Sequence, residues 1–261
     1  MEIQKLGASV FRLVSPKGKV IVIDPWITGN PICPTEWKDL SKWQDVDVLL
    51  ITHGHFDHSA GIDEICKASP KVKIIALWEL ALSLTFKRKQ NVLPIGKGGN
   101  LTLDGITYST VNAAHTSSFS DMEKGQTEYL GTAVGYVITF EDGFKVYIAG
   151  DTGLTADMKF VVGDFFKPDL AILPVCGLMC MSPEQAVYAV EAIRCKYVIP
   201  CHDLVKPEDA PDKEGMAAFI EQNPFVEVMI GKSKEFEELM KQKHPEVKTI
   251  VLGLGQSTQI S

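Results

Sequence analysis

The sequence has no apolar run long enough to span a bilayer and no excess of basic residues. Its 261 residues contain 26 Lys and Arg against 33 Asp and Glu, so the formal net charge is −7. Affinity for nucleic acid and for anionic membranes rests on clustered positive charge, so this balance argues against both partners. The compact basic cluster Lys87-Arg88-Lys89 ends a predicted helix, where the helix dipole favours cations, and is interpreted as a solvated face.

Two further absences concern the cellular compartment. The segment Met1–Leu6 lacks the long apolar stretch of a secretory signal. The six cysteines are scattered along a chain that can bury a core without disulfides. Cys176 and Cys180 have the spacing of a metal-binding pair, but no second pair matches it. We therefore expect reduced thiols and a cytoplasmic protein.

Apolar patterning predicts one domain over residues 1–261, because no low-complexity linker interrupts the chain. Strands are predicted at 8–14, 19–24, 47–52, 72–76, 101–103, 105–111, 131–140, 144–149, 169–173, 196–200 and 226–230. Helices are predicted at 59–69, 78–88, 183–193, 212–222 and 232–243. This order fits an α/β domain with helix, sheet, sheet and helix layers, although periodicity alone does not separate it from a single mixed sheet.

The segment Thr52–Ser59, with the sequence THGHFDHS, carries the strongest chemical signal. It follows the apolar run Val46–Ile51, which predicts a buried strand leading into a loop. Three histidines and one aspartate lie within six residues of this segment. Imidazole nitrogen and carboxylate oxygen are the ligands that zinc and similar divalent ions take, so the cluster predicts a metal site.

Further candidate ligands follow other predicted strands. They are His115 after strand 105–111, Asp151 after strand 144–149 and His202 after strand 196–200. Taken singly, each of these residues is equally well explained as the polar end of a strand. Together with the first cluster, they complete a set of candidate metal ligands that is rich in nitrogen. Gly150 and Gly153 flank Asp151 and would allow a tight turn. His244, at the end of a late predicted helix, is not expected to bind metal.

These motifs resemble those of metallo-β-lactamase-fold hydrolases, and more closely the uncharacterised bacterial metal-dependent hydrolases related to ascorbate-6-phosphate lactonase. The resemblance covers nearly all of residues 8–232. Besides Thr52–His58, its carriers are Ile23–Trp26, His115–Ser118, Ala149–Gly153, Lys167–Pro174, Met181–Ala186 and Val198–His202. It implies a four-layered αββα sandwich of mixed sheets with helices on the outer faces.

The resemblance also implies two neighbouring metal sites that share one carboxylate. One site would be held by His53, His55 and His115. The other would be held by Asp57, His58 and His202, with Asp151 bridging the two ions. Asp24 matches an aspartate that orients a ligand loop rather than binding metal. The two ions are expected to be zinc or manganese, with iron as a further option.

The first hypothesis is therefore a metal-dependent hydrolase of a small ester, lactone or phosphorylated metabolite. A hydroxide held between two ions would attack the substrate, and Asp57 or Asp151 would accept its proton. Neither Gly-x-Ser-x-Gly nor a Walker-type glycine-rich loop is present, so the serine and P-loop mechanisms lack their motifs. A small-molecule substrate is the expected partner, and a homo-oligomer is left open.

Three alternatives remain at this point. A phosphodiesterase of the same fold would favour a cation near the site, and Lys206 is the nearest to a ligand in sequence. A mononuclear iron enzyme with oxygen chemistry could use similar ligands. A binding or sensor protein could keep the pocket without catalysis.

Some segments depart from the family and could line the substrate pocket. They are residues 26–45, Cys176-Gly177, Asp203 and the tail beyond residue 245. Trp26, Trp37 and Trp43 are candidate pocket walls, with plain packing as the alternative. Thr116, Ser117 and Ser118 could donate hydrogen bonds to substrate or cap the local turn.

Overall fold

The computed structural model describes residues 1–121 and 124–260, and within them the chain forms two seven-stranded sheets. The first sheet contains β1 (Glu2–Lys5), β2 (Phe11–Val14), β3 (Val20–Ile23), β4 (Val48–Leu50), β5 (Lys73–Leu77), β6 (Val92–Ile95) and β14 (Ser257–Gln259). Its order is β14-β1-β2-β3-β4-β5-β6. Pairing is antiparallel from β14 to β3 and parallel from β3 to β6.

The second sheet has the same mixed character. It contains β7 (Asn100–Leu103), β8 (Ile106–Asp121), β9 (Gln126–Thr139), β10 (Lys145–Ile148), β11 (Leu170–Pro174), β12 (Tyr197–Cys201) and β13 (Lys248–Thr249). Its order is β13-β12-β11-β10-β9-β8-β7, antiparallel from β7 to β10 and parallel from β10 to β13.

Helices cover the outer faces of both sheets. The α-helices are α1 (Phe56–Ser59), α2 (Ile62–Ala68), α3 (Trp78–Arg88), α4 (Pro183–Ile193), α5 (Lys213–Gln222) and α6 (Lys232–Lys243). Short 3-10 helices span Thr35–Lys38, Leu40–Trp43, Pro207–Asp209 and Pro224–Met229, and a π-helix spans Met158–Phe166. In the part of the chain that is described, no helix has the length and apolar character needed to cross a membrane.

Apolar side chains form a core between the sheets and another on each outer face. Ile21 of β3 and Ile172 of β11 lie in the central core, between the sheets. Leu84 of α3 packs in the core outside the first sheet. Val187 of α4 packs in the core outside the second sheet. This is the four-layered α/β architecture that the sequence predicted, and the fully buried β3 and β11 follow from coverage on both faces.

Local signals fixed several boundaries correctly. Helix α4 begins after Ser182, whose hydroxyl accepts the amide hydrogen of Gln185, while the Gln185 side chain accepts from the amide of Ser182. Pro183 occupies the first helical position, where its missing N–H costs nothing. The predicted bounds of this helix, 183–193, are confirmed.

One predicted strand was wrong, and several observed elements were not predicted. The predicted strand 226–230 is largely the 3-10 helix Pro224–Met229, whose buried side chains Val226 and Met229 are three residues apart, not two. The π-helix and strands β1, β6, β13 and β14 were not predicted. Strand β6 contains Pro94 and lies at a sheet edge, where the lost backbone donor is tolerated.

Candidate metal centre

The turn after β4 carries the first ligand candidates. His53 and His55 lie in the loop, while Asp57 and His58 lie in the short helix α1 that begins at Phe56. This turn is held from within, because the Ser59 hydroxyl donates to the backbone carbonyls of the loop at 2.9 Å. Short spacing in sequence thus brings four candidate metal ligands to a single turn.

Three imidazole nitrogens converge on one side of this turn. His55 Nδ1 lies 3.0 Å from His53 Nε2 and 3.2 Å from His115 Nε2. A tetrahedral ion with metal–nitrogen bonds of about 2.1 Å separates its ligands by about 3.4 Å, so the spacing is close to that of one coordination sphere. His53 is buried, whereas His55 and His115 are half-buried and face the cavity.

His115 lies inside a strand, which corrects the prediction that it follows one. Strand β8 runs to Asp121, and its pairing with β9 shifts register between Asn112 and Thr116 and again before Ser118. Such bulges bend a strand and redirect a side chain. The irregularity therefore accounts for the orientation of His115 towards the loop after β4.

A second group lies beside the first. His202 Nε2 is 3.3 Å from Asp57 Oδ2, and His58 Nε2 is 3.5 Å from the same oxygen. The rings of His58 and His202 are stacked with centroids 5.4 Å apart. Both histidines are buried, while 22% of the Asp57 side chain is exposed to the cavity.

Asp151 contacts both groups. Its Oδ1 lies 3.5 Å from His58 Nε2, and its Oδ2 lies 3.1 Å from His202 Nε2 and 3.8 Å from His115 Nε2. The preceding Gly150 has φ of 61°, and a Cβ there would lie 2.9 Å from Cβ of Thr52. Glycine is thus required at 150 by conformation and by space, whereas the flanking Gly153 does not have positive φ.

Asp24 lies behind the candidate ligands and orients them. It accepts hydrogen bonds from the amide of Thr52 at 2.8 Å and from the Thr52 hydroxyl at 2.6 Å. It also contacts Nδ1 of His58 at 2.8 Å, so Nε2 of that ring faces the site. Thr52 in turn contacts Nδ1 of His53 at 3.0 Å and leaves its Nε2 facing His55. A partner on one ring nitrogen orients the other for metal binding.

Two of these residues adopt backbone conformations that non-glycine residues rarely adopt. Asp24 has φ of 48° and His202 has φ of 56°. Each follows directly after a strand, β3 or β12. Such outliers persist where the surroundings hold them, and they concentrate at functional sites. The sequence carried no signal of this strain.

Burial favours neutral imidazole in the first group. It lowers the pKa of His53 well below its ordinary value, and it also lowers the pKa of His55 and of His115. Neutral imidazole is the form that binds metal. The three nitrogens are therefore available to an ion near neutral pH.

The buried carboxylates beside the second group need a positive charge to balance them. Burial alone would lower the pKa of His58, but the surrounding carboxylates, first that of Asp151, outweigh it and raise that pKa to about 10. Burial alone would raise the pKa of Asp151, but the imidazoles of His202 and His58 hold it well below its usual range. Buried carboxylates need a compensating cation, and a divalent ion can supply that charge.

The donor set passes a direct test of fit to metal. His58 Nε2 and Asp151 Oδ1 are buried and face each other at 3.5 Å, yet neither has a hydrogen-bond partner among the described residues. Unpaired buried polar atoms are rare and costly. A cation bound between the facing donors would satisfy both, so the residues present fit the metal that the motif predicts.

Comparison with known proteins identifies the family. A model described as a β-lactamase superfamily domain matches residues 2–202. The chain belongs to the β-lactamase superfamily. A UPF0173 metal-dependent hydrolase of Koribacter versatilis is 41% identical over 203 residues, 77% of this chain and 84% of that protein. One from Methanosphaera stadtmanae is 39% identical over 224 residues, 85% of this chain and 92% of that protein.

A solved structure shares the whole fold. Igni18, a metallo hydrolase from the archaeon Ignicoccus hospitalis, is 27% identical, and the match covers 100% of this chain and 99% of that one with a TM-score of 0.79. This member of the β-lactamase superfamily is accordingly a metal-dependent hydrolase, as predicted. Every candidate metal ligand lies within the matched residues 2–202.

A cavity of about 430 Å³ opens above the candidate metal ligands. Its lining includes the candidate ligands His55, Asp57, His115, Asp151 and His202. Much of its wall comes from residues after 202, among them Phe219, Asn223, Phe225, Val226 and Met229. These were not predicted, because they carry no motif; they also lie beyond the matched residues 2–202.

The predicted pocket residues have mixed outcomes. Trp26 and Ser118 line the cavity, whereas Trp37 packs against Trp43 with ring centroids 5.2 Å apart. The hydroxyl of Ser117 accepts the amide hydrogen of Gly54. The tail beyond residue 245 adds β13 and β14 to the sheets and is absent from the described lining.

The structure also gives the contacts of polar residues that lie outside the cavity. Asp203 forms a buried ion pair with Lys5 at 3.2 Å. Lys206 is exposed, 3.9 Å from Glu208, and is not among the described residues of the lining. His244 lies at the end of α6 and contacts Glu246 at 3.2 Å.

The cysteine pair lies behind His202. Cys180 Sγ accepts the amide hydrogen of Cys176 and lies 4.0 Å from Nδ1 of His202. The two thiols and this nitrogen lie within 4.8 Å of one another, a grouping that C-x3-C spacing alone did not reveal. All six cysteines are among the described residues, and none forms a disulfide.

Replacing Asp24 with asparagine is expected to lower metal affinity by about 10- to 100-fold, because His58 and Thr52 lose a charged acceptor. Titration of the metal-free protein against a chelating indicator measures this change. The matched control is Asp47→Asn, since Asp47 likewise accepts a backbone amide, that of Val20, but lies away from the cavity. Equal losses in the two variants would contradict the orienting role.

Proposed function

We propose that this metal-dependent hydrolase cleaves a small carboxylic ester or lactone with two divalent cations. The observation that carries the proposal is the contact of Asp151 with both donor groups, one oxygen facing His58 and the other facing His202 and His115. In this assignment His53, His55 and His115 would hold one ion, Asp57, His58 and His202 would hold the other, and Asp151 would contribute to both sites. Such ions supply an activated water and polarise the substrate carbonyl.

The two catalytic carboxylates have different surroundings, and this supports different roles. Asp151 is 3% exposed and contacts three imidazoles, which suits a fixed bridging ligand. Asp57 is half-buried and lies on the cavity floor. We therefore assign to Asp57 the acceptance of the proton that the attacking water releases, since a general base must reach that water. His202 Nε2 lies 3.3 Å from Asp57 Oδ2, so both atoms would face the same ion.

Metal analysis combined with hydrolysis tests the proposal. Protein loaded separately with zinc and manganese is expected to contain two ions per chain and to hydrolyse p-nitrophenyl acetate and γ-butyrolactone. Chelation should abolish both activities, and restoring the ion should recover them. One tightly bound iron with no second ion would support the mononuclear alternative. Hydrolysis of bis-p-nitrophenyl phosphate in preference to the carboxylic esters would support the phosphodiesterase.

A further inference from the structure

We propose that the substrate is uncharged and that its acyl part is a flexible or flat apolar group, held against aromatic side chains beside the metal centre. This substrate class rests on the proposed ester or lactone hydrolysis. The proposal arises from the walls of the cavity above the candidate ligands, which differ sharply in chemistry from its floor.

The walls are aromatic and aliphatic. The ring of Trp26 lies 5.3 Å from that of Phe56 and 5.8 Å from that of Phe219, so three aromatic side chains form a contiguous face. Phe225 and Met229, from the 3-10 helix after α5, extend the lining. A wall of this kind gains free energy by removing apolar substrate surface from water.

Several wall residues are exposed although they are large and apolar. The exposed fractions are 57% for Phe56, 52% for Phe225 and 45% for Met179. Single exposed apolar residues are common, but here three lie around one concave site. Their grouping above the candidate ligands indicates a surface that an apolar ligand covers.

Among the described residues, the cavity lining offers no cationic side chain to a second anionic group. No Lys or Arg belongs to the lining formed by the described residues. Lys5, beside the His202 turn, is 6% exposed and already paired with Asp203. Besides the candidate ligands, the polar lining side chains are Ser118, Ser120 and Asn223, and the Asn223 amide donates to the carbonyl of Phe219.

A phosphorylated or carboxylated substrate would place its charge against this apolar wall. Burying an unpaired anion is strongly unfavourable, whereas sites that select phosphate supply arginine, lysine or backbone amides. An apolar acyl chain meets no such cost, and each buried methylene strengthens binding about fourfold. The volume, about 430 Å³, lies in the range of small-molecule pockets.

A substrate series tests this class on the metal-loaded full chain. The p-nitrophenyl esters of acetate, butanoate and hexanoate are compared with mono-p-nitrophenyl glutarate, which has similar length to the hexanoate ester but ends in a carboxylate. We expect kcat/KM to rise by about 10²-fold from acetate to hexanoate, at about fourfold per methylene. The glutarate ester is expected to be at least about tenfold slower than the hexanoate ester. A profile that is flat with chain length, or faster cleavage of the glutarate ester, would overturn the proposal.

A charge placed on the wall gives a matched pair of variants. Phe225→Lys should change the hexanoate-to-glutarate ratio of kcat/KM by about 10²-fold in favour of the charged ester. The control is Phe165→Lys, because Phe165 is also an exposed phenylalanine in a helix but does not line the cavity. The control ratio should stay at the wild-type value, and equal shifts in both variants would contradict a role for the wall.

A binding measurement separates failure of this proposal from failure of the proposed function. The neutral fluorophore N-phenyl-1-naphthylamine is expected to bind with increased emission, to be displaced by hexanamide and to resist displacement by adipate, whose second carboxylate would lie against the wall. Binding with this selectivity but without hydrolysis of any ester would contradict ester hydrolysis and support the apolar ligand class. Hydrolysis that favours the charged ester, or equal displacement by adipate, would overturn the ligand class alone.

Discussion

Replacing Asp151 with alanine is expected to remove both metal ions and to lower ester hydrolysis by about 10³-fold. The reason is that its carboxylate faces imidazoles of both groups, Oδ1 facing His58 and Oδ2 facing His202 and His115, so neither proposed site remains complete without it. Metal ions contribute several kcal/mol of transition-state stabilisation, and each 1.36 kcal/mol corresponds to a factor of ten in rate. The measurements are metal content by mass spectrometry of the gel-filtered protein and kcat/KM for a neutral ester.

Two control variants make the metal measurement specific. His244→Ala removes a histidine that lies at the end of α6, away from the candidate ligands, and should leave two ions bound. Asp164→Ala removes an exposed carboxylate that pairs with Arg194 and should also leave the metal content unchanged. Loss of one ion with full retention of the other in Asp151→Ala would refute the bridging assignment. Metal loss in His244→Ala would show that the ligand set itself is wrong.

Replacing Asp203 with alanine is expected to lower the free energy of unfolding by about 3–5 kcal/mol. The Lys5 ammonium, 3.2 Å from Asp203 and 6% exposed, would stay buried without a compensating charge. The amide of Ser233 would also lose its acceptor. For a chain of this size the corresponding drop in Tm is about 10 °C. Urea unfolding of the metal-free protein measures the change without a contribution from bound ions.

The double variant Lys5→Met, Asp203→Leu tests whether the buried charge is the cause. Since both ions are then replaced by apolar groups, stability should return to within about 1–3 kcal/mol of the wild type, the remainder reflecting the unpaired Ser233 amide. The surface control Lys206→Ala disrupts an exposed pair and should cost less than about 1 kcal/mol. A cost in Asp203→Ala no larger than in this control would contradict the argument.

Asp203 departs from the family pattern, and its role becomes clear only from its contacts in the structure. In the sequence it is a residue in an unusual position next to a candidate ligand, with a pocket role among the options. In the structure its carboxylate faces Lys5 of β1 and the amide of Ser233 in α6. It therefore ties the turn after β12 to the N-terminal strand β1 and to α6, a connection that no local pattern could predict.

The candidate ligands were predictable to different degrees. Those in Thr52–His58 are close in sequence, so their grouping needs only a turn. The position of His115 depends on a bulge in β8 that shifts its register against β9. Apolar patterning predicted the end of that strand at residue 111, ten residues before its observed end. Their roles as metal ligands remain predictions that the Asp151 and His244 variants test.

The sequence by itself determined the residue types of the candidate metal motif, the α/β class and helix bounds such as those of α4. These depend on caps, periodicity and spacing among residues that are neighbours in the chain. Only the tertiary structure decided which ring nitrogens face one another, how Asp24 orients His58, and that Phe219 and Phe225 wall the cavity. The physical reason is that these contacts join residues far apart in the chain, and sheet pairing and core packing bring them together only after the whole fold forms.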